Sequence, residues 1–207
     1  MLAIIDYGVG NLTSIRKMLS KVGFQESKIT SDLNDISSAS RIILPGVGHY
    51  DYGMAQLHNS GLVDVLKRQV LEMKVPILGI CLGAQLMTNR SDEGESPGLG
   101  WIEGETIAFD EAKLSSELRI PHMGWADSTP TKRSRLFEGL EADARFYFVH
   151  SFHMKLQNIA DQVVEATHGD PFCAGFEADN ILGVQFHPEK SHRFGMRLLK
   201  NFVENYP

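Results

Sequence analysis

The sequence predicts an α/β fold in which a mostly parallel sheet is flanked by helices and carries an antiparallel extension. In the N-terminal part, short apolar runs alternate with helical patterns, which is typical of parallel strands joined by helices. Beyond residue 101, short strand-like runs separated by turn residues favour antiparallel strands. The predicted strands of the first part are Leu2–Asp6, Arg41–Leu44 and Pro76–Ile80, and those of the second are Thr106–Phe109, Phe146–Val149, Val163–Thr167 and Ile181–Phe186.

The predicted helices follow from apolar residues at helical spacing. Asn11 is placed to cap the helix 11–22, whose stripe is Leu12, Ile15, Leu19 and Val22. Helical patterns also cover Met54–Met73, with a break near Asn59-Ser60-Gly61, then Leu82–Met87 and Ser191–Tyr206. The polar, glycine-rich stretch Ser91–Gly100 is predicted to be a loop. No repeat, low-complexity tract or linker interrupts the chain, so residues 1–207 are expected to form a single domain.

Composition excludes several classes of function. Of 207 residues, 20 are Lys or Arg and 26 are Asp or Glu, so the net charge of −6 argues against nucleic acid as a ligand. No apolar run approaches the roughly 18 residues of a membrane span, and we expect a cytoplasmic protein with no membrane contact. The two cysteines, Cys81 and Cys173, are far apart in sequence and stand in no metal-binding spacing. A disulfide between them is not expected, because the compartment is expected to be reducing. No metal or cofactor is predicted.

The segment Gly79-Ile80-Cys81-Leu82-Gly83 predicts a nucleophile elbow. An apolar strand runs into a tight turn and a helix begins at once, which is the arrangement that exposes a nucleophile at a strand end. The helix N-terminus would stabilise a thiolate at Cys81, and the Leu82 N–H would point at the oxyanion formed by its attack. The alternative is a small buried cysteine at a strand–helix junction.

A second segment, Gly94-Glu95-Ser96-Pro97-Gly98, matches the G-x-S-x-G pattern letter for letter. The residue after the nucleophile must lend its N–H to the oxyanion hole, and Pro97 has none. No apolar strand precedes it. We therefore do not expect an active site there.

His187-Pro188-Glu189 follows the last predicted strand and is expected at the edge of the sheet, where α/β active sites gather. In an extended chain, residues two apart project to the same side, so the Glu189 carboxylate would orient the His187 imidazole as a base. The alternatives are a surface ion pair or one arm of a metal site. His150, His153 and His192 are the nearest further ligands, but their spacing is poor for a metal.

The turn Pro45-Gly46-Val47-Gly48 also follows a strand end. The N–H of Val47 or Gly48 would supply a second oxyanion donor, and the alternative is an ordinary tight turn between strand and helix. Gly8-Val9-Gly10 lacks the third glycine of a dinucleotide fingerprint and is interpreted as a helix-entry turn.

Taken together, these segments resemble the triad-type, class I glutamine amidotransferases, and most closely the glutaminase subunits of imidazole glycerol phosphate synthases. The resemblance spans nearly the whole chain in the family's order. It rests on the segments 5–8, 10–12, 44–48, 79–86, Pro121-His122-Met123-Gly124-Trp125, Tyr147-Phe148-Val149-His150-Ser151 and 183–191.

The resemblance implies that Cys81 attacks the side-chain amide of L-glutamine, with His187 as acid and base and Glu189 orienting it. It implies that Gln85, Glu93 and the backbone of 150–152 (His150, Ser151, Phe152) hold the glutamine. Ammonia would pass to a (β/α)8-barrel synthase subunit, the partner in a heterodimer that makes imidazole glycerol phosphate in histidine biosynthesis. The candidate docking residues are Met123, Gly124, Trp125 and Lys190, with ordinary rim packing as the alternative.

Two residues depart from the family pattern. Ala84 stands where Met is usual, in the elbow helix, and is expected to leave the chemistry intact. Ala126 stands where Asn is usual, beside the docking segment, and leaves the acceptor of the ammonia open. The alternatives are therefore a paralogous glutaminase that feeds another synthase, for example in surface-sugar amidation, or a non-catalytic scaffold with the same fold.

Overall fold

The computed structural model describes residues 1–140 and 144–206. Within them the strands are β1 Leu2–Ile5, β2 Ser27–Thr30, β3 Arg41–Gly46, β4 Ile77–Cys81, β5 Gly104–Ala108, β6 His122–Asp127, β7 Thr129–Pro130, β8 Arg145–His150, β9 Phe152–Leu156, β10 Gln162–His168, β11 Asp170–Ala178 and β12 Ile181–Val184. The α-helices are α1 Leu12–Lys21, α2 Leu33–Ser37, α3 Tyr50–Asn59, α4 Val63–Lys67, α5 Leu82–Gln85 and α6 His192–Asn205.

The main sheet has the strand order β2-β1-β3-β4-β12-β11-β10-β7. The first five strands run parallel, whereas β11, β10 and β7 pair antiparallel. Strand β9 pairs with β11 and carries β5 on its other side. The predicted α/β class, with a mostly parallel sheet and an antiparallel extension, is confirmed.

Two of the predicted antiparallel strands were placed wrongly. The run 181–186 forms β12, which lies parallel to β4 with Gly183 opposite Gly79. The run 146–149 forms β8, which pairs with β6 in a separate two-stranded sheet. An apolar run predicts a strand but carries no record of its neighbour, which is set by contacts distant in sequence.

Residues of the parallel strands face two apolar clusters alternately. Leu2 and Ile4 pack in one cluster with helices α1 and α6, whereas Ala3 and Ile5 pack in the other with α2, α3 and α4. Because both faces of the sheet are covered, these strands are apolar without alternation. Among the described residues, no helix is both long enough and apolar enough to span a membrane.

The helix boundaries differ from the predictions in informative ways. Asn11 occupies the N-cap position of α1, but its side chain makes no capping hydrogen bond, so the predicted cap is wrong. Helix α3 begins at Tyr50 rather than Met54, because the His49 side chain accepts the Asp51 N–H and caps it. Helix α5 ends at Gln85, two residues before the predicted Met87.

Candidate active site

The carboxyl ends of three neighbouring parallel strands meet at one edge of the sheet. Gly46 at the end of β3 lies opposite Cys81 at the end of β4, and Ile80 is opposite Val184 at the end of β12. The turn that contains Val47, the elbow that contains Cys81 and the segment leading to His187 therefore start side by side. Ligands in open α/β sheets bind at this edge.

Cys81 has the backbone conformation of a nucleophile elbow. Its φ of 53° and ψ of −114° lie in a region that L residues rarely adopt, and such strain persists only where the surrounding structure enforces it. Gly83 is part of that enforcement, since a Cβ there would lie 1.9 Å from the Leu44 carbonyl oxygen. A Cβ at Gly79 would lie 2.6 Å from the Ala84 Cα. The glycines are thus required because the helix packs directly on two strands.

His187 and Glu189 form a buried pair next to the elbow. The His187 Nδ1 lies 2.9 Å from Glu189 Oε1, and both side chains are 1% exposed. The expected extended geometry is wrong, since residues Pro188–Lys190 form a turn of 3₁₀-helix that folds the carboxylate back onto the ring. Ser191 holds this turn, because its hydroxyl donates to the His187 carbonyl at 2.6 Å and accepts the Tyr147 N–H at 3.0 Å.

The electrostatics of this pair favour a protonated imidazole beside the sulfur. Burial by itself lowers the pKa of His187, but the adjacent Cys81 sulfur and Glu189 carboxylate outweigh burial and raise the pKa above its usual value. Among the described residues, the buried His187 Nε2 makes no well-formed hydrogen bond, and the Cys81 sulfur is the adjacent group. One ring nitrogen is therefore held by the carboxylate, and the other remains available for proton transfer.

A cavity of about 160 Å³ opens above Cys81 and His187. This volume is well below the roughly 300–1,000 Å³ of drug-sized ligand sites, so it suits a molecule such as a single amino acid. The cavity brings together every predicted oxyanion and glutamine-binding residue, while Glu189 lies behind the imidazole. Its lining residues are Val47, Gly48, Cys81, Leu82, Gln85, Glu93, Val149, His150, Ser151, Phe152 and His187.

The predicted oxyanion donors line this cavity from two sides. Leu82 is the first residue of α5, where N–H groups have no intrahelical acceptor. Across from it, the Val47 side chain is 41% exposed, and Gly48 has a φ of +107°. A Cβ at Gly46 would lie 2.7 Å from the Gly83 nitrogen. The turn 45–48 therefore packs directly against the elbow.

The polar residues predicted to hold glutamine are themselves held by hydrogen bonds. The Gln85 Nε2 donates to the Phe152 carbonyl at 3.0 Å and to Gln185 Oε1 at 3.1 Å. Glu93 accepts the Tyr50 N–H at 2.9 Å, which fastens its loop to the start of α3. Because the amide nitrogen of Gln85 is engaged, its oxygen is the atom left to accept from a ligand.

Asp51 fixes the rest of the loop 91–100. Its carboxylate accepts the N–H groups of Glu95 and Ser96, and these bonds lower its pKa. A Cβ at Gly94 would lie 2.1 Å from Asp51 Oδ1, so this glycine is needed for close packing. Ser96 is not among the residues that line the cavity. The G-x-S-x-G match is therefore a loop packed on α3, as its proline suggested.

A cluster of histidines behind the cavity was not predicted. His150 Nδ1 lies 2.8 Å from the Phe152 carbonyl, and its Nε2 lies 3.0 Å from His122 Nδ1. His122 also stacks on His168. Burial lowers the pKa of His122 to about 4 and that of His150 well below its usual value. Within residues 1–140 and 144–206, no three His, Cys, Asp or Glu side chains are grouped to hold a metal.

The residues predicted for docking lie on the small β6–β8 sheet. Met123 is 62% exposed and Trp125 is 39% exposed, and both project from the same side of β6. Lys190 lies over the Tyr147 ring at 5.5 Å, and Trp125 stacks on His192 at 5.4 Å. Tyr147 and His192 were not among the predicted docking residues.

Ala126 does not belong to this exposed row. Strand β6 alternates, so Ala126 lies on the opposite side from Trp125 and is packed against the core. The departure from the family pattern therefore falls beneath the β6–β8 sheet rather than on its exposed face.

Comparison with known proteins adds to this geometry. Residues 3–206 match the family described as Glutamine amidotransferase class-I. A relative from Pseudomonas aeruginosa, "Imidazole glycerol phosphate synthase subunit HisH 2", is 45% identical over 204 residues, which cover 99% of each chain. A relative of the same name from Methanococcus maripaludis is 46% identical over 204 residues, again covering 99% of both chains.

A solved structure, "Structure of PurLQS from Thermotoga maritima", superposes with a TM-score of 0.73 at 19% identity, covering 100% of this chain and 98% of that one. At such low identity the superposition supports the fold alone. The family match covers almost the entire chain, as do the two relatives at 45–46% identity. The chain therefore belongs to the class-I glutamine amidotransferase family.

Proposed function

We propose that this protein hydrolyses L-glutamine to glutamate and ammonia through a thioester on Cys81, and that it delivers the ammonia to a (β/α)8-barrel synthase subunit which makes imidazole glycerol phosphate. The observation that carries the proposal is the cavity in which Cys81, His187 and the turn 45–48 meet. The names of the relatives, which are subunits of imidazole glycerol phosphate synthases, support the choice of partner.

In the first half of the reaction, the Cys81 thiolate attacks the amide carbon of glutamine. The negative charge moves to the amide oxygen, where the N–H groups of Leu82 and of Val47 or Gly48 stabilise it. Removing one such donor costs about 3–4 kcal/mol of transition-state stabilisation in other enzymes. The tetrahedral intermediate then collapses, and the protonated His187 gives its proton to the departing nitrogen, so that ammonia leaves and a glutamyl thioester remains.

In the second half, His187 acts as the base. It takes a proton from water, which attacks the thioester carbonyl and forms a second oxyanion in the same site. Collapse breaks the carbon–sulfur bond, releases glutamate and restores the thiolate next to the imidazolium. Glu189, bonded to Nδ1, stabilises the charged ring and keeps Nε2 turned toward the reaction.

The α-amino and α-carboxylate groups of the substrate need partners beyond the triad. Glu93 and the oxygen of Gln85 supply acceptors for the ammonium group, and Ser151 and Phe152 line the cavity next to Gln85. Replacing substrate glutamine with asparagine would shorten the chain by one methylene and move the amide away from Cys81, so glutamine is the better fit.

Ammonia transfer requires a partner over the docking sheet. An exposed row of Met123 and Trp125, with Lys190 beside it, combines the aromatic and sulfur-containing side chains that are enriched at protein interfaces. The barrel subunit is assigned to this face. The His187 backbone N–H is bonded to the Tyr147 carbonyl at 2.9 Å, so a partner that contacts Tyr147 is one hydrogen bond from the catalytic turn.

The test is a glutaminase assay with and without the barrel subunit of a histidine-pathway synthase. We expect binding and an increase in glutamine turnover, with ammonia incorporated into product. If the barrel subunit neither binds nor activates while Cys81 still reacts with a glutamine-analogue electrophile, the acceptor is wrong and the glutaminase assignment stands. Absence of turnover and of labelling together would contradict the glutaminase assignment as well.

Ala126 is the residue that supports a different acceptor, such as a synthase of sugar amidation. Its position beneath the docking sheet means that it acts on the surface only through the packing of β6. An Ala126→Asn variant therefore discriminates. If the acceptor is the histidine-pathway barrel, affinity for it should stay within a few-fold of the parent chain.

A further inference from the structure

Gln185 is a buried carboxamide for which neither the sequence pattern nor the mechanism above has a role. It lies between the end of β12 and His187, its side chain is fully buried, and its backbone N–H is bonded to the Ala174 carbonyl. A buried amide that packs in an apolar core needs partners for both its oxygen and its nitrogen.

The partners of Gln185 fix which way its amide points. The Phe152 carbonyl can only accept a hydrogen bond, so the atom of Gln85 that faces it must be the nitrogen Nε2. That same nitrogen lies 3.1 Å from Gln185, so the atom of Gln185 at this contact must be its oxygen. The remaining atom, Gln185 Nε2, then lies 3.8 Å from the Cys81 sulfur.

We propose that Gln185 is a further catalytic group, whose amide N–H donates to the Cys81 sulfur and stabilises the thiolate. This inference rests on the proposed function and adds a residue to it. The backbone carbonyl of Phe152 sets the donor–acceptor direction of the hydrogen bonds that link Phe152, Gln85, Gln185 and Cys81. One wall of the glutamine cavity therefore orients the donor that acts on the nucleophile.

The contact has a chemical consequence for the ionisation of Cys81. A hydrogen bond to a charged group favours the charged form, and N–H···S⁻ bonds lower the free energy of a thiolate more than that of a thiol. Loss of such a bond is expected to reduce the thiolate population at a given pH by about tenfold. The rate of thioester formation should fall by a similar factor.

The experiment measures the pH dependence of Cys81 alkylation by iodoacetamide, quantified at Cys81 by peptide mass spectrometry, in Gln185→Met and Gln185→Glu. Glu keeps an oxygen for Gln85 and places a second oxygen against the sulfur, whereas Met removes both polar atoms. We expect the alkylation midpoint to lie about one pH unit higher in the Met variant and higher still in the Glu variant. With the barrel subunit present, kcat should fall about tenfold in Met and more in Glu.

Asn180→Leu is the matched control, because Asn180 is a buried carboxamide at the opposite end of β12. It donates to the carbonyls of Val70 and Val75 and does not contact the cavity. Its loss should lower Tm without moving the alkylation midpoint. A midpoint in the Gln185 variants equal to that of the parent chain, or an equal shift in Asn180→Leu, would overturn the proposal.

Two further outcomes separate this inference from the function on which it rests. If neither Gln185 variant folds, Gln85→Met removes the hydrogen bond that orients the Gln185 amide, and the alkylation midpoint should still rise. An unchanged alkylation midpoint in Gln85→Met would refute the role of these hydrogen bonds. If the alkylation midpoint shifts as expected in the Gln185 variants but the parent protein shows no glutaminase activity with any barrel subunit, the proposed function fails. The inferred contact between Gln185 and Cys81 would still hold.

Discussion

At the scale of single residues, the arrangement around His187 divides its two ring nitrogens between two tasks. Nδ1 is occupied by the Glu189 carboxylate at 2.9 Å, so Nε2 is the nitrogen left for the proton transfer that we propose. The pair is almost fully buried, which strengthens its electrostatic interaction relative to water. We therefore expect the Glu189 carboxylate to stabilise the positive charge of a protonated His187 ring as well as to orient the ring.

Replacing this carboxylate by its amide tests that point. In Glu189→Gln, the amide retains the shape but no longer stabilises an imidazolium, so kcat for glutamine hydrolysis should fall at least about 100-fold. Steady-state kinetics with the barrel subunit present gives the value. Glu177→Gln is the control, since that carboxylate is also partly buried and bonded, to Ser134 and Tyr206, far from the cavity. A fall in kcat as large in Glu177→Gln would argue against the assigned role.

The two cysteines should differ sharply in reactivity. Cys81 lies beside an imidazole whose pKa is raised, whereas burial raises the pKa of the Cys173 thiol to about 12. A glutamine-analogue electrophile should therefore label Cys81 and leave Cys173 unmodified at pH 7.5. Mass spectrometry of the digested protein reads this out. Cys81→Ala should abolish both labelling and ammonia production while the chain stays folded, and residual activity would place the nucleophile elsewhere.

At the scale of secondary-structure elements, the loop 91–100 depends on the start of α3. The Tyr50 N–H bonds to the Glu93 side chain, and Asp51 accepts the N–H groups of Glu95 and Ser96 just beyond it. Leu99 packs the end of the loop against the apolar core, and the polar contacts at Tyr50 and Asp51 position Glu93 in the cavity. Ser191 does the same for the turn 188–190, where its hydroxyl joins His187 to β8.

Asp51→Ala should loosen this loop and weaken glutamine binding. Two hydrogen bonds to backbone N–H groups are lost, so we expect KM for glutamine to rise roughly fivefold while kcat changes less than twofold. Asp35→Ala is the matched control, because Asp35 is likewise held by hydrogen bonds that lower its pKa, but it lies in α2 away from the cavity. An unchanged KM in Asp51→Ala would mean that other contacts position Glu93.

At the scale of the whole molecule, the buried histidines predict how stability depends on pH. The folded pKa of His122 is about 4, below the roughly 6.5 of an unfolded chain, because burial disfavours its charged form. Between those values the unfolded state binds a proton that the folded state does not. The contribution of His122 to the free energy of unfolding is therefore constant above pH 6.5. It falls as the pH drops from 6.5 to 4.

Urea unfolding at pH 7.5, 6, 5 and 4.5 measures this slope. His122→Gln should reduce the loss of stability over the window by about 1–2 kcal/mol, because an amide does not titrate. The exposed helix residue His58 provides the control, and His58→Gln should leave the slope unchanged. An identical slope in His122→Gln would assign the acid sensitivity to other groups, of which His150, in contact with His122, is the first to test.

Much of the candidate site follows from local patterns. The elbow around Cys81 requires a strand, a glycine-flanked turn and a helix in immediate succession, and all three are written in consecutive residues. Pro97 and the lack of a preceding apolar strand argued against the competing serine motif. The class of the fold followed from apolar runs alternating with helical stripes, because coverage of both faces of a parallel sheet leaves no polar side on its strands.

Other features depend on residues that meet only after folding. Strand β12 pairs with β4 about a hundred residues earlier in the chain, and this pairing places His187 beside Cys81. The 3₁₀ turn of 188–190, rather than an extended segment, brings Glu189 to the ring. The loop that carries Glu93 is likewise held by the Tyr50 N–H at the start of α3, 43 residues away in the chain.

The sequence by itself predicted a cysteine nucleophile, and it determined the elbow around Cys81 and the α/β class, since each is specified by neighbouring residues. The tertiary structure decided the partner of each strand, the side of β6 on which Ala126 lies, and the direction of the Gln185 amide at the Cys81 sulfur. Hydrogen-bond polarity is passed from Phe152 through Gln85 to Gln185 across segments far apart in the chain. Such an order exists only when the fold has brought these groups within bonding distance.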